Sequence, residues 1–209
     1  MTRRLTLFGM DNQRTGEMTA LDGREFRDAL GWFATGVTVI TTRAADGDLV
    51  GFTANSFTSV SLDPPLVLFS LNRQAGCLPI FEGCAHFAVN ILAEHQAALS
   101  SRFATASHDK WHGVAVETWE GGCPILADAL ANFECAVHAV HDGGDHRIFV
   151  GRVLRMRSSA AGKPLLFSRG AYRLLGDPLG APEGPPAESS TSALDNGGLF
   201  AEHEPWTTQ

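Results

Sequence analysis

A chain of 209 residues that is 44% hydrophobic and 19% charged has a globular composition and enough length to bury a core as one domain. Its formal charge of −7 sits mostly at the end: Asp177 to Gln209 carries six acidic residues and no Lys or Arg, leaving 16 basic against 17 acidic residues elsewhere. That near-neutral body lacks the basic patch that nucleic-acid binding needs, and no apolar run approaches the roughly 20 residues of a membrane span. No hydrophobic stretch follows the N-terminal arginines, so a signal peptide is not expected and the chain reads as cytoplasmic. Cys77, Cys84, Cys123 and Cys135 form no C-x-x-C pair and read as free thiols. His108 and His112 stand four apart but lack the glutamate of a zinc protease motif, so no metal site is expected.

Residues 1–18 read as a flexible leader. A helix follows, with Asp22 as its cap, Glu25 as the reciprocal partner of a capping box, and Phe26, Leu30 and Phe33 at helical spacing; Gly31 and Gly36 bracket its end. The chain then turns to strands. Val37–Thr42 is β-branched and alternating, Asp46-Gly47 signals a turn, and a further strand starts at Leu49. Leu66–Leu71, after Pro64-Pro65, and Phe87–Leu92 are short apolar strands, and Glu94–Phe103 fits a short helix. Phe133–His141 and Arg147–Arg157 form a hairpin around Asp142-Gly143-Gly144, and Pro164–Phe167 with Ala171–Leu175 closes the pattern. Many strands with few helices predict a mainly β fold, an antiparallel barrel rather than a doubly wound sheet. The folded domain spans residues 19–176, and the Pro-, Gly- and Ser-rich acidic tail 177–209 reads as disordered.

The segment Thr53–Ser61 carries hydroxyl or amide side chains at most positions and no charge. Exposed loops usually carry charges and core strands aliphatics, so this run suits either a hydroxyl-rich edge strand or a surface offering neutral hydrogen bonds to a polar, planar ligand. Gly144-Asp145-His146 reads from the residues alone as a hairpin turn with solvated side chains. No G-x-G-x-x-G opens a helix after a strand, which excludes a Rossmann dinucleotide site, and no nucleophile elbow is present.

Taken in order, the motifs Phe33–Thr42, Gly51–Asn72, Phe87–Leu92, Leu99–Ala104, Cys123–Cys135, Gly144–Val153 and Pro164–Leu175 resemble the flavin reductase-like family, the FMN-binding split barrels. The resemblance covers roughly residues 20–176. It implies a split antiparallel β-barrel that works as a homodimer, reduces FMN or FAD with NADH or NADPH, and supplies reduced flavin to a flavin-dependent oxygenase. By family position Thr35, Gly36, Val37, Thr38 and Val39 would line the flavin with Thr53, Ala54 and Asn55. Ser59 and Val60 would continue the wall, with Phe87 and Ala88 beside it. Gly36 reads equally as a helix-end glycine or as a point of close backbone approach. Gly144, Asp145 and His146 match the family's nicotinamide signature, and Arg169 and Tyr172 would lie near the cofactors. Ala75 and Cys77 replace hydroxyl residues that contact the flavin phosphate in relatives, which leaves Arg73 and Arg102 as phosphate candidates. Two other functions fit the same barrel: a flavin-binding electron carrier, and an oxidase or oxygenase acting directly on an organic substrate.

Overall fold

The computed structural model describes residues 22–107 and 109–178; the leader, His108 and the tail beyond Pro178, on which expectations above fall, lie outside them. One unit extends to Leu175 and a second begins at Gly176. Helix α1 spans Gly23–Leu30. Asp22 caps it, but its carboxylate accepts the Arg24 N–H, at 2.7 Å, rather than that of Glu25. The helix stops at Gly31, whose N–H reaches the Arg27 carbonyl at 3.0 Å. Gly36 is therefore no helix end; it lies in β1 (Thr35–Gly36).

The strands β2 (Thr38–Arg43), β3 (Leu49–Ala54), β4 (Thr58–Leu62), β5 (Pro65–Asn72), β6 (His86–Ile91), β9 (Ala131–Gly143) and β10 (His146–Ser158) form one sheet in the order β3-β2-β6-β9-β10-β5-β4. Every neighbouring pair in it is antiparallel. β3 and β4 are its two edges, yet only Asn55–Phe57 joins them. Four Cα steps span at most about 14 Å, so the sheet must curl until its edges nearly meet. The strand-rich sequence predicted an antiparallel barrel, and this is the split form that the resemblance implied. Two smaller sheets flank it: β1 with β11 (Leu165–Ser168) and β12 (Ala171–Leu174), and β7 (Val116–Thr118) with β8 (Pro124–Leu126).

Alternation along β5 sends Val67, Phe69 and Leu71 into the barrel, where they meet Ile40, Phe87, Val89, Cys135 and Phe149. Helix α2 (Leu78–Gly83) plugs this interior with Phe81, whose ring meets those of Phe52, Phe69 and Phe149. The sheet is tightest at Gly151. A Cβ there would fall 2.2 Å from Phe87 Cζ and 2.9 Å from Cys135 Cβ, so only glycine lets β10 pass the ring. Outside the barrel, α3 (Ala97–Ala104) brings Phe103 against Val37, Val39, Leu92, Leu126 and Leu165 in a second core. β2 is consequently buried on both faces.

One buried amide ties the layers together. Asn90, in β6, donates to the Val39 carbonyl at 3.0 Å, and its Oδ1 accepts from Leu126 N at 2.9 Å and from Asn132 Nδ2 at 2.8 Å. β2, β8 and β9 thus converge on one side chain, and its polar atoms are met inside the fold.

Candidate functional site

Where the barrel splits, the segment after β3 is fastened by its own hydroxyls. Ser56 Oγ donates to the Ser70 carbonyl at 3.1 Å and accepts the Ser70 N–H at 3.0 Å, extending the β4–β5 pairing by side chain. Thr53 Oγ1 donates to the Ser100 carbonyl at 2.6 Å, and Tyr172 donates to Ser100 Oγ at 2.8 Å. β3, α3 and β12 therefore share one polar seam. Between these supports Asn55 faces a cleft of about 660 Å³, whose walls include Trp32, Phe33, Phe167 and Arg169. That volume is typical of small-molecule sites, roughly 300–1,000 Å³.

The aromatic side of the cleft is held open from below. Arg169 and Gly170 both adopt left-handed backbone (φ 51° and 74°), the conformation of a two-residue turn between twisted strands. For Arg169 this costs about 1 kcal/mol. The turn is fastened back to α1: Arg169 N and Ser168 Oγ both donate to the Gly31 carbonyl, each at 3.0 Å. The Arg169 guanidinium then lies 4.2 Å from the centre of the Trp32 ring. Trp32 and Phe33 remain 70% and 77% exposed. Thr35, opposite Phe167 in the ladder, has a buried Oγ1 with no hydrogen-bond partner among the described residues.

The β9–β10 turn lies at the same end of the barrel, since His146 pairs with Asn72, two residues (~7 Å) along β5 from Ser70. Asp145 Oδ1 stands 2.7 Å from His146 Nδ1. The hydrogen bond and the charge of His146 hold the Asp145 carboxyl below its usual range, so it is an acceptor and Nδ1 carries the proton. Gly144, left-handed at φ 73°, lets the turn close. Arg73 clamps it, donating its backbone N–H to the Asp145 carbonyl and Nε to the Gly144 carbonyl, both at 2.9 Å. Asp142 receives Arg73 and Arg147 together, and Arg147 also meets Glu82 at 3.0 Å. His146 is thus presented on a rigid turn.

The flavin reductase like domain matches this chain over residues 30–176. The chain belongs to that family. It is 44% identical over 153 residues to the reductase subunit HsaB of a flavin-dependent monooxygenase of Rhodococcus jostii, covering 73% of this chain and 78% of that one. To the FMN reductase (NADH) SmoA of Agrobacterium fabrum it is 46% identical over 151 residues, 72% of this chain and 85% of the relative. The Streptomyces globisporus NADH:FAD oxidoreductase SgcE6, solved with NAD and FAD fragments, superposes with a TM-score of 0.69 at 38% identity, over 78% of this chain and 96% of that one. Some relatives are longer: the chain spans 54% of one from Rhizobium meliloti, 43% identical over 169 residues.

Within this family member, the expected site residues divide. Thr35, Thr53, Asn55, Arg169 and Tyr172 gather around the Asn55 cleft and its supporting seam, with Gly36 next to Thr35 in β1; Gly144, Asp145 and His146 form the neighbouring turn. A Cβ at Gly36 would meet nothing within 4 Å, so that backbone is open to close approach. Val37, Thr38, Val39, Ala54, Phe87 and Ala88 are buried, and none of them lines the Asn55 cleft. Val37 and Val39 fill the second core, Ala54 and Phe87 fill the barrel, and Ala88 packs on Trp119 and Cys123. The Thr38 hydroxyl is spent on the Ala54 carbonyl at 2.8 Å. Ser59 and Val60 are exposed on β4, the opposite edge of the sheet from β3. Arg102 reaches the His112 carbonyl at 2.9 Å and borders a separate cleft of about 280 Å³. The sequence reading missed Trp32 and the cleft-side role of Phe33; the adjacent aromatic pair just past the glycine that ends α1 is the signal that could have revealed them. The four cysteines are free, and among the described residues no group of three or more His, Cys, Asp or Glu could hold a metal ion. Among them, too, no helix is long and apolar enough to cross a membrane.

Proposed function

We propose that this chain is an NAD(P)H:flavin oxidoreductase that reduces FMN or FAD and passes reduced flavin to a partner oxygenase. The observation that carries this reading is the pairing of an uncharged, hydrogen-bonding cleft at Asn55 with an aspartate-oriented histidine turn at the same end of the barrel. The residues present fit a flavin: the unmet Thr35 hydroxyl, the Asn55 amide and the open backbone at Gly36 offer neutral hydrogen bonds, and Trp32 and Phe33 offer ring faces. β3, as a sheet edge, adds backbone groups with no strand partner.

The residues of the cleft and the turn would hold flavin and nicotinamide, which would supply the redox chemistry by hydride transfer. The chain's own part is to hold the rings face to face and keep them dry. Asn55 and Thr35 fix the in-plane orientation of the flavin, while the aromatic pair covers the ring. His146 would hydrogen-bond the nicotinamide through Nε2, its ring held in place by the Nδ1 bond to Asp145.

The same reading makes the protein a cytoplasmic homodimer. Phe26, Leu30, Trp32 and Phe33 at α1, with Val60, Leu62, Leu154 and Met156 on the sheet, are exposed apolar groups that a second copy would cover. Anaerobic mixing of purified protein with NADH or NADPH and either FMN or FAD tests the activity. Bleaching of added flavin in step with nicotinamide oxidation is expected; flavin that binds yet stays oxidised with both donors would refute it.

A further inference from the structure

The aspartate–histidine pair at the end of the barrel has little packing to hold it. The His146 side chain is 39% exposed and that of Asp145 85%, and an exposed pair of this kind fixes its own geometry only weakly. Its orientation therefore depends on the backbone turn beneath it. The β9–β10 ladder closes at Gly143 and His146, which leaves Gly144 and Asp145 as the two loop residues. Gly144 is left-handed at φ 73° and Asp145 is not, the pattern of a type II′ turn. The related type I′ turn differs by a flip of the peptide between those two residues, which would make Asp145 left-handed as well. Aspartate tolerates that conformation, so the loop residues alone do not exclude it.

Arg73 supplies the exclusion. The Gly144 and Asp145 carbonyls have no partner in the β9–β10 ladder, and Arg73 takes both: its Nε donates to the first and its backbone N–H to the second, each at 2.9 Å. The first bond grips the peptide that the flip would turn. The second extends the β5–β10 ladder one step past its last pair, Asn72 and His146. Arg73 is itself held from both sides. Just after it the chain turns, with Asn72 Oδ1 accepting the Gln74 N–H at 2.7 Å and the Asn72 carbonyl accepting the Ala75 N–H at 3.0 Å. Its guanidinium pairs with Asp142 Oδ1, and the same oxygen accepts Arg147 Nη1 at 3.1 Å. Arg147 Nε in turn stands 3.0 Å from Glu82 Oε1 of α2, near enough for charge attraction though not aligned as a hydrogen bond.

We propose that Arg73 is a positioning residue for the nicotinamide side of the reaction: it locks the Gly144–Asp145 peptide in the turn that keeps Asp145 on His146, and so aims the His146 ring. The inference rests on the reductase reading above, in which His146 meets the nicotinamide. The planar arginine fork presents Nε to a carbonyl and an outer nitrogen to Asp142 at once, whereas lysine is a single point of charge and cannot do both. Positioning is therefore separable from attraction for an anionic nucleotide, which either cation would supply.

The test follows Arg73→Met, Arg73→Lys, Asp142→Asn and His146→Ala through NADH kinetics, flavin titration and hydrogen exchange of the turn in cofactor-free protein. Arg73→Met should raise the KM for NADH about three- to tenfold, the scale of one or two oriented hydrogen bonds, with kcat changed less and flavin affinity unchanged. Arg73→Lys should be nearly as impaired. Asp142→Asn, which leaves both bonds from Arg73 to the turn in place, should lie between the wild type and Arg73→Met. Adding Arg73→Met to His146→Ala should raise the KM no further, because the arginine acts through the histidine. Exchange at the turn should quicken in both Arg73 variants and keep wild-type rates elsewhere. Full recovery by lysine, with a KM that climbs steeply with salt, would make Arg73 a nucleotide-binding cation and overturn the proposal. Independent, multiplying effects of Arg73→Met and His146→Ala would overturn it too, as would unaltered exchange at the turn or a loss of affinity for FMN but not for riboflavin. Wild-type protein that oxidises neither NADH nor NADPH with added flavin would sink the reductase reading and the nicotinamide role with it, while the exchange comparison would still decide whether Arg73 locks the turn.

Discussion

Replacing Gly151 by alanine should destabilise the protein without touching its ligand sites. The added Cβ would stand 2.2 Å from Phe87 Cζ and 2.8 Å from Cε1, where ordinary carbon contacts need ~3.5–4.0 Å. The ring would have to retreat by more than an ångström. It is fully buried and meets the Phe69 ring edge to face at 5.0 Å, while Phe69 stacks on Phe149 at 5.0 Å, so no empty space receives it. Overpacking of this kind costs up to about 3 kcal/mol, which at this chain length lowers Tm by about 6–12 °C. Thermal and urea unfolding of Gly151→Ala, Phe87→Leu and the double variant measure the effect. Leucine shortens the side chain that the new methyl strikes, so the double variant should be more stable than the sum of the singles by about 1–2 kcal/mol. Flavin affinity of Phe87→Leu should equal that of the wild type. An unchanged Tm in Gly151→Ala, or strict additivity, would refute the packing argument. Loss of flavin binding in Phe87→Leu would return that residue to the ligand wall.

Three further outcomes are expected. His146→Ala should raise the KM for NADH about tenfold, the scale of a lost oriented hydrogen bond, while flavin titration stays unchanged; a collapse of flavin affinity alone would show the histidine misassigned. Thr35→Val should weaken flavin binding several-fold, of order 1 kcal/mol, yet keep or raise Tm, because its hydroxyl has no hydrogen-bond partner among the described residues; a lower Tm at unchanged affinity contradicts this. Burial pushes the Cys123 and Cys135 thiols up from 9.0 to about 12, so in native protein at pH 8 both should resist alkylation followed by mass spectrometry. With folded values above unfolded ones, the stability they contribute is full below about pH 9 and falls as pH rises toward 12; rapid native labelling at pH 8, or stability rising over that interval, would contradict the burial.

Local signals carried far where one pattern ruled. Alternation in Val67, Phe69 and Leu71, bounded by Pro64-Pro65, marked β5, and the paired runs around Gly143-Gly144 marked the long β9–β10 hairpin. They failed where two causes overlapped. β4 is built of Thr58, Ser59 and Ser61 on an exposed edge, so it lacks an apolar alternation, and its hydroxyls fitted an edge strand and a ligand surface alike. Helix α2 has six residues with Pro79 in its first turn and an apolar run behind it, too short to show a helical period. β7 and β8 have three residues each. In the site, Asn55 lines an accessible cleft, and Thr35 pairs with Phe167 of its wall. Val37, Val39 and Phe87 are buried, because a strand sandwiched between two cores, like one inside the barrel, turns both rows of side chains inward.

The buried amide of Asn90 has a consequence for how the barrel assembles. In the native frame it faces Val39 on β2 and Asn132 on β9. A one-residue slip of β6 would turn that amide to the opposite side of the sheet. It would leave Leu126 N and Asn132 without their acceptor, at about 1–3 kcal/mol for each buried group left unmet, and would drive a polar amide among the phenylalanines. Long antiparallel strands rich in interchangeable aliphatics can zip up in several frames of similar greasiness. Here a single polar side chain separates those frames in energy, so misaligned chains are unstable enough to reopen and try again.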